Sequence, residues 1–439
     1  MIQPTFSIAG GFMAASEAPQ VAPSQFDIDR CVHCGLCLNA CPTYRELGVE
    51  MDSPRGRVYQ MAQVANGAPI TDSYIQHIDL CLACRGCETA CPSGVPYGRM
   101  VEAARAQIEP QRKRSKQAER LRDFVFNRLL RSRRAMSIAG TALYLSEAGG
   151  LKFLARGMAS IGMLGKLGGL LQLSPSAEPP FFFSQIGSTV AAEGQQRYRV
   201  AFLAGCIANI FFARLNEATV RVLAKNGCEV VIPAGQGCCG ALHLHSGLRQ
   251  GAEQLAQANI KALAEGNYDA IITNAAGCGS TLKEYGDILQ TDAARAFSAR
   301  VRDVTEFLAS IELNRDMGKL DATVTYQDSC HLAHGQRVKA APRQLLAAIP
   351  GLKLREMRGA DICCGSAGIY NIVQNEMSMR VLESKMQSVN ATPAEIIATA
   401  NPGCMLQLQA GVRAHGNNQR VVHVVELLDE AYSARSSKA

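Results

Sequence analysis

Residues 31–44 read CVHCGLCLNACPTY, and residues 81–94 read CLACRGCETACPSG. Both stretches contain the pattern C-x2-C-x2-C-x3-C-P, which is typical of chains that hold two 4Fe–4S clusters on cysteine thiolates. Zinc also binds four cysteine ligands, but two complete four-cysteine runs that each end in proline are poorly explained by zinc. The repeated pattern therefore predicts two 4Fe–4S clusters.

The spacing also predicts how the eight thiolates divide between the clusters. Two-residue gaps let three thiolates converge on one cluster, whereas the fourth cysteine of each run faces the other cluster. Pro42 and Pro92 end any helical turn directly after this crossing ligand. The predicted cluster I set is Cys31, Cys34, Cys37 and Cys91, and the predicted cluster II set is Cys81, Cys84, Cys87 and Cys41.

The segment between the two runs is predicted to be helical. It is 39 residues long and includes SPRGRVYQMAQVAN at residues 53–66, with apolar residues at near-helical spacing. In this respect the region resembles the helical two-cluster module of succinate dehydrogenase iron–sulfur subunits.

Three arginines lie close to the cysteines in sequence: Arg55, Arg57 and Arg85. They either raise the reduction potentials of the clusters or are solvated surface side chains.

The second half of the chain contains an internal duplication. Predicted strands such as YRVAFLAGC and ATVTYQDSC alternate with predicted helices, which indicates parallel α/β sheets. The carboxyl ends of parallel strands face one crevice, so the four matching thiols of each unit are expected to converge. The first-unit thiols are Cys206, Cys238, Cys239 and Cys278, and the second-unit thiols, 124–126 residues later, are Cys330, Cys363, Cys364 and Cys404.

Motifs in both halves carry a resemblance to known families. GCCGA, CCGSAGIY and ANPGC resemble the CCG (cysteine-rich) domain family, and with SPRGRVYQMAQV the whole chain resembles iron–sulfur subunits of bacterial glycolate oxidase. The resemblance implies an α+β multidomain fold, with a mainly helical two-cluster ferredoxin module before duplicated α/β CCG domains. The expected divisions are an arm (1–24), the ferredoxin domain (25–110), a basic helical segment and linker (111–196) and two CCG domains (197–318 and 319–439).

The CCG half departs from one relative of this family. The heterodisulfide reductase type has a further cysteine in each unit, where this chain has Thr281 and Gln407. A five-thiol cluster is therefore not expected, and the eight CCG thiols either hold a third cluster or are redox-active or structural. Cys228 is expected to be a core residue. The nearby histidines are expected to be hydrogen-bonded neighbours: His243, His245, His331 and His334.

The resemblance implies an electron-transfer subunit of a membrane-associated complex. Flavin-containing partner subunits would oxidise glycolate to glyoxylate, and electrons would pass through this chain towards quinone. No G-x-G-x-x-G follows a predicted strand, so we expect no catalytic residue and no nicotinamide or flavin site in this chain. The alternatives are a subunit of a lactate or glycerol-3-phosphate dehydrogenase complex, a CCG-domain disulfide or quinone reductase, and a redox-sensing scaffold.

Charge is concentrated in one segment. Between Gln111 and Arg134 there are ten basic and two acidic residues, whereas the whole chain carries a formal net charge of +7. The remainder is nearly neutral, so nucleic acid is not an expected partner. This segment is predicted either to lie on an anionic membrane surface or to dock a partner subunit. One helical stripe is expected to contain Leu121, Phe124, Val125 and Leu129.

The sequence also indicates where in the cell the protein is located. No Lys or Arg precedes Arg30, so we expect no secretory signal. The sequence also contains no run of about 18 uncharged apolar residues, so we expect no transmembrane helix. The 17 cysteines fall in tight clusters, which favours reduced, metal-binding thiols over disulfides. The expected location is cytoplasmic, peripheral on the cytoplasmic face of the inner membrane.

Overall fold

The computed structural model of the chain describes residues 22–150, 176–264 and 266–436. The predicted arm lies outside these residues except for its last three positions. The part of the basic segment and linker between residues 151 and 175 also lies outside them.

The N-terminal region is helical, as the sequence predicts. The predicted helix at 53–66 is present, and it begins where the Ser53 hydroxyl accepts a hydrogen bond from the Gly56 amide at 3.0 Å. A Cβ at Gly56 would lie 2.0 Å from the Glu50 carbonyl oxygen, so only glycine fits this close approach. The helices are α1 (Gln25–Ile28), α2 (Pro42–Leu47), α3 (Pro54–Ala65), α4 (Asp72–Asp79), α5 (Gly86–Thr89) and α6 (Tyr97–Ile108).

The basic segment contains α7 (Lys116–Asp123), a π-helical turn (Phe124–Leu129) and α8 (Arg133–Ala148). The predicted apolar stripe is wrong in part, because Leu121 and Phe124 are exposed while Phe126 is buried. The π-turn closes hydrogen bonds one residue later than an α-helix, so it rotates the following side chains away from the α-helical register. Val125 and Leu129 pack only partly against the core.

The first CCG unit is built on a five-stranded sheet in the order β1-β3-β2-β4-β5. Its strands are β1 (Thr189–Val190), β2 (Tyr198–Phe202), β3 (Cys228–Val231), β4 (Ala270–Thr273) and β5 (Val301–Asp303). The pairs from β3 to β5 are parallel, as expected, and Cys228 is a buried residue of β3. Strand β1 corrects the predicted linker, since it pairs antiparallel with β3 and extends the sheet.

The second CCG unit has a four-stranded parallel sheet in the order β7-β6-β8-β9. Its strands are β6 (Ala322–Tyr326), β7 (Leu352–Leu354), β8 (Ile396–Thr399) and β9 (Arg420–His423). This order repeats that of β3-β2-β4-β5, so the predicted duplication is present in the topology. The helical N-terminal module followed by two α/β units confirms the α+β multidomain fold class.

Helices cover both sheets. In the first unit they are α9 (Ala208–Phe211), α10 (Ala213–Lys225), α11 (Ala241–His245), α12 (Arg249–Ala264), α13 (Ala276–Lys283), α14 (Tyr285–Leu289), α15 (Asp292–Arg300) and α16 (Val304–Ser310). In the second they are a π-turn (His331–Gly335), α17 (Ala340–Ala348), α18 (Tyr370–Val373), α19 (Asn375–Asn390), α20 (Pro402–His415) and α21 (Val424–Ser436).

The two CCG units share one apolar core. Helices α10 and α21 pack against each other, and Leu223 and Leu428 are fully buried. The hydroxyl of Tyr432 on α21 donates to the Asn314 carbonyl at 2.8 Å, which ties the last helix to the connection between the units. Within the described residues, none of the helices combines the length and the apolar character that a membrane span requires.

Candidate metal centres

The four thiols of the predicted cluster II set line one cavity. Its volume is about 290 Å³ when the solvent at its mouth is included, and its walls include Cys41, Cys81, Cys84 and Cys87. Cys41 comes from the first cysteine run and the other three from the second run, so the structure brings the crossing ligand to the predicted partners. All four side chains are soft sulfur donors, which is the ligand type that iron–sulfur clusters require.

Hydrogen-bond donors surround this cavity. The Tyr97 hydroxyl lies 3.6 Å from Cys81 Sγ, and the Ala83 amide lies 3.4 Å from the same sulfur. Burial raises the pKa of the Cys41 thiol, but Arg57 and a hydrogen bond from Thr43 act in the opposite direction. These donors would stabilise thiolates that are bound to iron, so the residues present fit a cluster.

Arg57 is fully buried beside Cys41. Its Nη1 lies 3.9 Å from Cys41 Sγ, its Nη2 lies 3.4 Å from Asp52 Oδ1, and its Nε donates to the His77 carbonyl at 2.7 Å. A guanidinium group stays protonated in proteins. Arg57 therefore places a permanent positive charge against the cluster II set, and it is not a solvated surface arginine.

The predicted cluster I set lies nearer the surface. Burial raises the pKa of the Cys31 thiol, and the nearby Cys91 and Cys34 thiols raise it further, so the crossing ligand lies beside its predicted partners. Cys34 is exposed, whereas Cys31, Cys37 and Cys91 are partly buried. Arg55 lies near this set but is half-exposed and paired with Glu50 at 2.7 Å.

Arg85 connects the ferredoxin module to the first CCG unit. Its guanidinium pairs with Glu88 at 2.9 Å and with Glu284 of the first unit, and it donates to Ser280 Oγ at 3.3 Å. Burial raises the pKa of Glu284 to about 7, although Arg85 opposes this rise. Arg85 is therefore an interdomain contact as well as a charge near Cys84 and Cys87.

The first-unit thiols converge at the end of the first sheet. Cys206 Sγ lies 3.5 Å from Cys238 Sγ, and Cys239 contacts both Cys238 and Cys278. Asn259 of α12 supports the site, since its side chain donates to the Cys238 carbonyl at 2.9 Å and accepts from the Gly237 amide at 2.9 Å. Asn259 thus supports the backbone of these thiols with an uncharged side chain, and His243 contacts the Cys238 thiol.

The second-unit thiols also converge, but beside a buried cation. Cys363 contacts Cys330 and Cys364, and Cys364 contacts Cys404. Lys385 of α19 donates to the Gly359 carbonyl at 2.7 Å, and burial lowers the pKa of its ammonium group to about 8. Lys385 follows Asn259 by 126 residues, the offset of the duplication, so the two units differ in charge at equivalent positions.

The second-unit thiols meet the cluster II set directly. The side chains of Cys84 and Cys363 pack in one apolar cluster, and the proximity of Cys363 lowers the pKa of the Cys84 thiol. Leu82 packs against Cys363 and Tyr370, and the Tyr370 hydroxyl donates to the Leu80 carbonyl at 2.9 Å. Sequence reasoning missed this contact, because no sequence signal joins positions 279 residues apart.

Each of the four histidines near the CCG thiols has a polar partner. His243 Nε2 lies 3.0 Å from the Phe126 carbonyl, and His331 Nε2 lies 3.0 Å from the Ala83 carbonyl. His334 Nδ1 lies 2.9 Å from Thr89 Oγ1, and His245 Nδ1 lies 3.1 Å from Glu102 Oε1. These contacts join the CCG units to the ferredoxin module and the basic segment.

The positions of the missing fifth thiols are buried. Thr281 is buried in α13, and Gln407 is fully buried in α20. The Gln407 amide donates to Ser378 Oγ at 2.9 Å, and its carbonyl accepts from Asn371 at 3.2 Å. Both positions therefore belong to the packing around the thiols.

Comparisons with known proteins agree with this architecture. Residues 27–95 match the model of the 4Fe-4S dicluster domain, and residues 200–283 and 324–409 match the model of the cysteine-rich domain. The chain is 40% identical over 429 residues to the probable glycolate oxidase iron–sulfur subunit of Bacillus subtilis, covering 93% of this chain and 94% of that protein. It belongs to the family of glycolate oxidase iron–sulfur subunits.

Other relatives match either nearly the whole chain or about half of it. The glycolate oxidase iron–sulfur subunit of Escherichia coli is 31% identical, with 91% of this chain and 93% of that protein covered. Lactate utilization protein A of Oceanobacillus iheyensis is 32% identical over 237 residues, which cover 53% of this chain and 96% of that protein. The predicted resemblance is confirmed, and so are iron–sulfur clusters as the cofactors of this glycolate oxidase-type subunit.

Proposed function

We propose that the chain is the electron-transfer subunit of a complex that oxidises glycolate or a similar 2-hydroxy acid. Flavin-containing partner subunits would take two electrons and two protons from the substrate, and single electrons would then pass through this chain towards quinone. The observation that supports this proposal is the series of thiol groups: an exposed Cys34, a cluster II set with three buried cysteines, and second-unit thiols in contact with Cys84.

The proposal includes the ligand assignment. Cluster I is assigned to Cys31, Cys34, Cys37 and Cys91, and cluster II to Cys81, Cys84, Cys87 and Cys41. The cavity that includes Cys41 among the thiols of the second run supports the crossing arrangement. When bound, each cluster supplies a one-electron carrier, while Arg57 and Tyr97 stabilise its thiolates.

A third redox centre is proposed at the second-unit thiols. They contact Cys84, and the nearby Lys385 offsets negative charge on thiolates or on a cluster. The first-unit thiols have the neutral Asn259 at the equivalent place, so we assign them a structural or slower redox role. A CCG-domain disulfide or quinone reductase is the second candidate, because thiol pairs such as Cys206 and Cys238 are close enough to react.

Substrate oxidation would lie in the partner subunits. We expect glycolate to reduce the clusters of the intact complex and to leave those of the separately purified full-length chain oxidised, as followed by visible absorbance. D-lactate and glycerol 3-phosphate are the comparison substrates, since they distinguish the related complexes. Turnover of glycolate by the isolated flavin-free chain, with an artificial acceptor, would contradict the proposal.

Membrane association is proposed through the basic segment. Arg112, Arg114 and Arg122 turn inward and pair with Glu109 or Asp79. Six other cations of the segment make no ion pair within the described residues: Lys113, Lys116, Arg120, Arg128, Arg133 and Arg134.

Large apolar side chains lie exposed on the same segment. Leu121, Phe124, Ile138 and Leu145 are exposed. Cations beside exposed apolar groups are typical of segments that bind anionic lipid. The alternative, docking of a partner subunit, would use the same surface.

The membrane proposal can be tested with charge variants. Each exposed cation contributes about 1 kcal/mol to binding near an anionic surface. The triple change of Arg128, Arg133 and Arg134 to Gln should therefore weaken vesicle binding by roughly 3 kcal/mol, or about 100-fold in affinity. The assay is sedimentation with phosphatidylglycerol vesicles at increasing salt. A matched control changes Lys353, Arg355 and Arg358, which are exposed cations of the second CCG unit. Unchanged vesicle binding, with loss of the partner subunits, would identify a subunit dock.

A further inference from the structure

The loop at residues 31–37 presents apolar side chains around a cluster I ligand. Val32 is 68% exposed and Leu36 is 61% exposed, and the Cys34 thiol between them is exposed as well. Such exposure is unusual beside a metal centre, because an apolar shell normally controls the access of water to the ligands.

This loop is held in place from behind. Arg55 Nη1 donates to the His33 carbonyl at 3.2 Å, and a Cβ at Gly35 would lie 2.7 Å from that same nitrogen. The His33 ring also packs edge-on against Tyr59, with 6.4 Å between the ring centres. The exposed side chains are therefore carried by a constrained backbone.

More exposed apolar groups lie on the elements next to this loop. Tyr59 lies on α3, Phe26 on α1, which packs against α3, and Met51 in the turn before α3. All three are exposed, Phe26 to 74%. We define the Cys34 surface as the exposed side chains of Phe26, Val32, Cys34, Leu36, Met51 and Tyr59.

The second cysteine run contains the same loop in a covered state. Leu82 and Ala83 follow Val32 and His33 by 50 residues, and they are only 4% and 5% exposed. The second CCG unit covers them, because Leu82 packs against Tyr370 and the Ala83 carbonyl accepts from His331. The contact between Cys84 and Cys363 then places thiols of the two modules side by side.

We propose that the Cys34 surface is the docking site of the flavin-containing partner subunit, which seats its electron carrier next to Cys34. The proposal rests on the proposed function and adds the place of electron entry. The equivalent loop already docks a thiol-bearing unit through its apolar residues, so the exposed copy fits a second redox protein. In each transfer the reduced carrier of the partner loses one electron and cluster I gains it, and no covalent bond changes.

Charge favours a protein over a lipid as the occupant. Near the surface, Arg55 pairs with Glu50, and the exposed Arg30 is next to the exposed Asp29 in the chain. These pairs leave little excess positive charge, in contrast to the basic segment. An anionic membrane would gain little electrostatic attraction here, whereas an apolar protein surface would bury Val32 and Leu36.

The test introduces charge into the Cys34 surface of the full-length chain. Val32→Glu and Leu36→Glu, each assembled with its partner subunits, should reduce the rate at which glycolate reduces the clusters about tenfold or more in stopped-flow absorbance. Reduction by dithionite, iron content and the electron paramagnetic resonance spectrum should stay unchanged. The matched control is Val373→Glu, because Val373 is 64% exposed but lies on the second CCG unit.

A second measurement uses the unmodified protein. Amide hydrogen exchange across residues 31–37 should slow when the iron-loaded chain is assembled into the complex. Equal exchange in the free and assembled chain, or equal rates in all three variants and the parent, would overturn the docking site. If glycolate fails to reduce the clusters of the parent complex, the proposed function fails instead, and the exchange result still decides whether this surface is covered.

Discussion

Replacing the buried Arg57 by Gln should lower the reduction potential of cluster II. Reduction adds a negative charge to the cluster, and a fixed positive charge beside it stabilises the reduced form. Arg57 lies 3.9 Å from Cys41 Sγ and has no access to solvent, so little water screens this charge, and Asp52 at 3.4 Å offsets only part of it. Gln keeps a donor for the hydroxyl of Thr43 but removes the charge.

The magnitude follows from Coulomb's law. A cluster held by these thiols would have its centre beyond the sulfur, and at a separation of about 6 Å from the guanidinium a unit charge contributes roughly 3 kcal/mol at an effective dielectric constant of about 20. For a one-electron couple about 1.4 kcal/mol corresponds to 59 mV, so the upper value is on the order of 120 mV. Water that enters the vacated space will reduce the shift, and we expect a decrease of about 50 to 120 mV.

The assay is a redox titration of the full-length iron-loaded chain, followed by electron paramagnetic resonance. Arg57→Lys, which keeps the charge, should retain most of the potential. Arg55→Gln is the matched control near cluster I, because its partly exposed guanidinium is already paired with Glu50 and screened by water. It should leave the potential of cluster II unchanged.

Two results would refute this reasoning. One is an unchanged cluster II potential in Arg57→Gln, within about 20 mV, at full iron occupancy. The other is an equal decrease in Arg57→Lys and Arg57→Gln, because loss of packing and not loss of charge would then explain the shift.

Three further predictions concern ligands and stability. Cys41→Ser should remove the cluster II signal and spare cluster I, and loss of cluster I alone would contradict the crossing assignment. Burial raises the pKa of Glu426 to about 7 from an ordinary value of 4.5, so its stabilising protonation is lost as pH rises through 7. The melting temperature of Glu426→Gln should therefore rise relative to the parent between pH 5 and pH 8, and a constant difference would argue against this shift. Phe202→Ala should destabilise the first CCG unit by about 3 to 5 kcal/mol in thermal unfolding, because Phe202 is fully buried against Phe182.

The sequence predicted the elements whose signals are local. Strands such as β2 and β6, the helix α3 and the duplication all follow from hydrophobic pattern and from the spacing of cysteines. The grouping of thiols in each CCG unit was also predictable, because parallel strands end at one edge. These features depend on residues that are near in sequence or repeat at a fixed interval.

The rest depends on packing between distant residues. Nothing in the sequence distinguishes Arg57, which is buried against Cys41, from Arg55, which is half-exposed two residues earlier. The π-turn at Phe124–Leu129 breaks the α-helical period, so the predicted stripe placed Phe124 inside when Phe126 is the buried residue. Strand β1 is only two residues long, which is too short to show an alternating pattern.

The contact between Cys84 and Cys363 bears on the order of assembly. Iron and sulfide must reach the cluster II set while its ligands are open, yet residues of the second CCG unit, made last during synthesis, close over Leu82 and Ala83. Cluster II must therefore be inserted before the C-terminal half folds onto the ferredoxin module, or the half must open again to admit it. The proposed cluster I site is open at Cys34 in the chain alone, so a damaged cluster there could be rebuilt until a partner subunit covers this surface. The two sites share one sequence pattern, but they differ in the stage at which a cluster can be inserted or replaced.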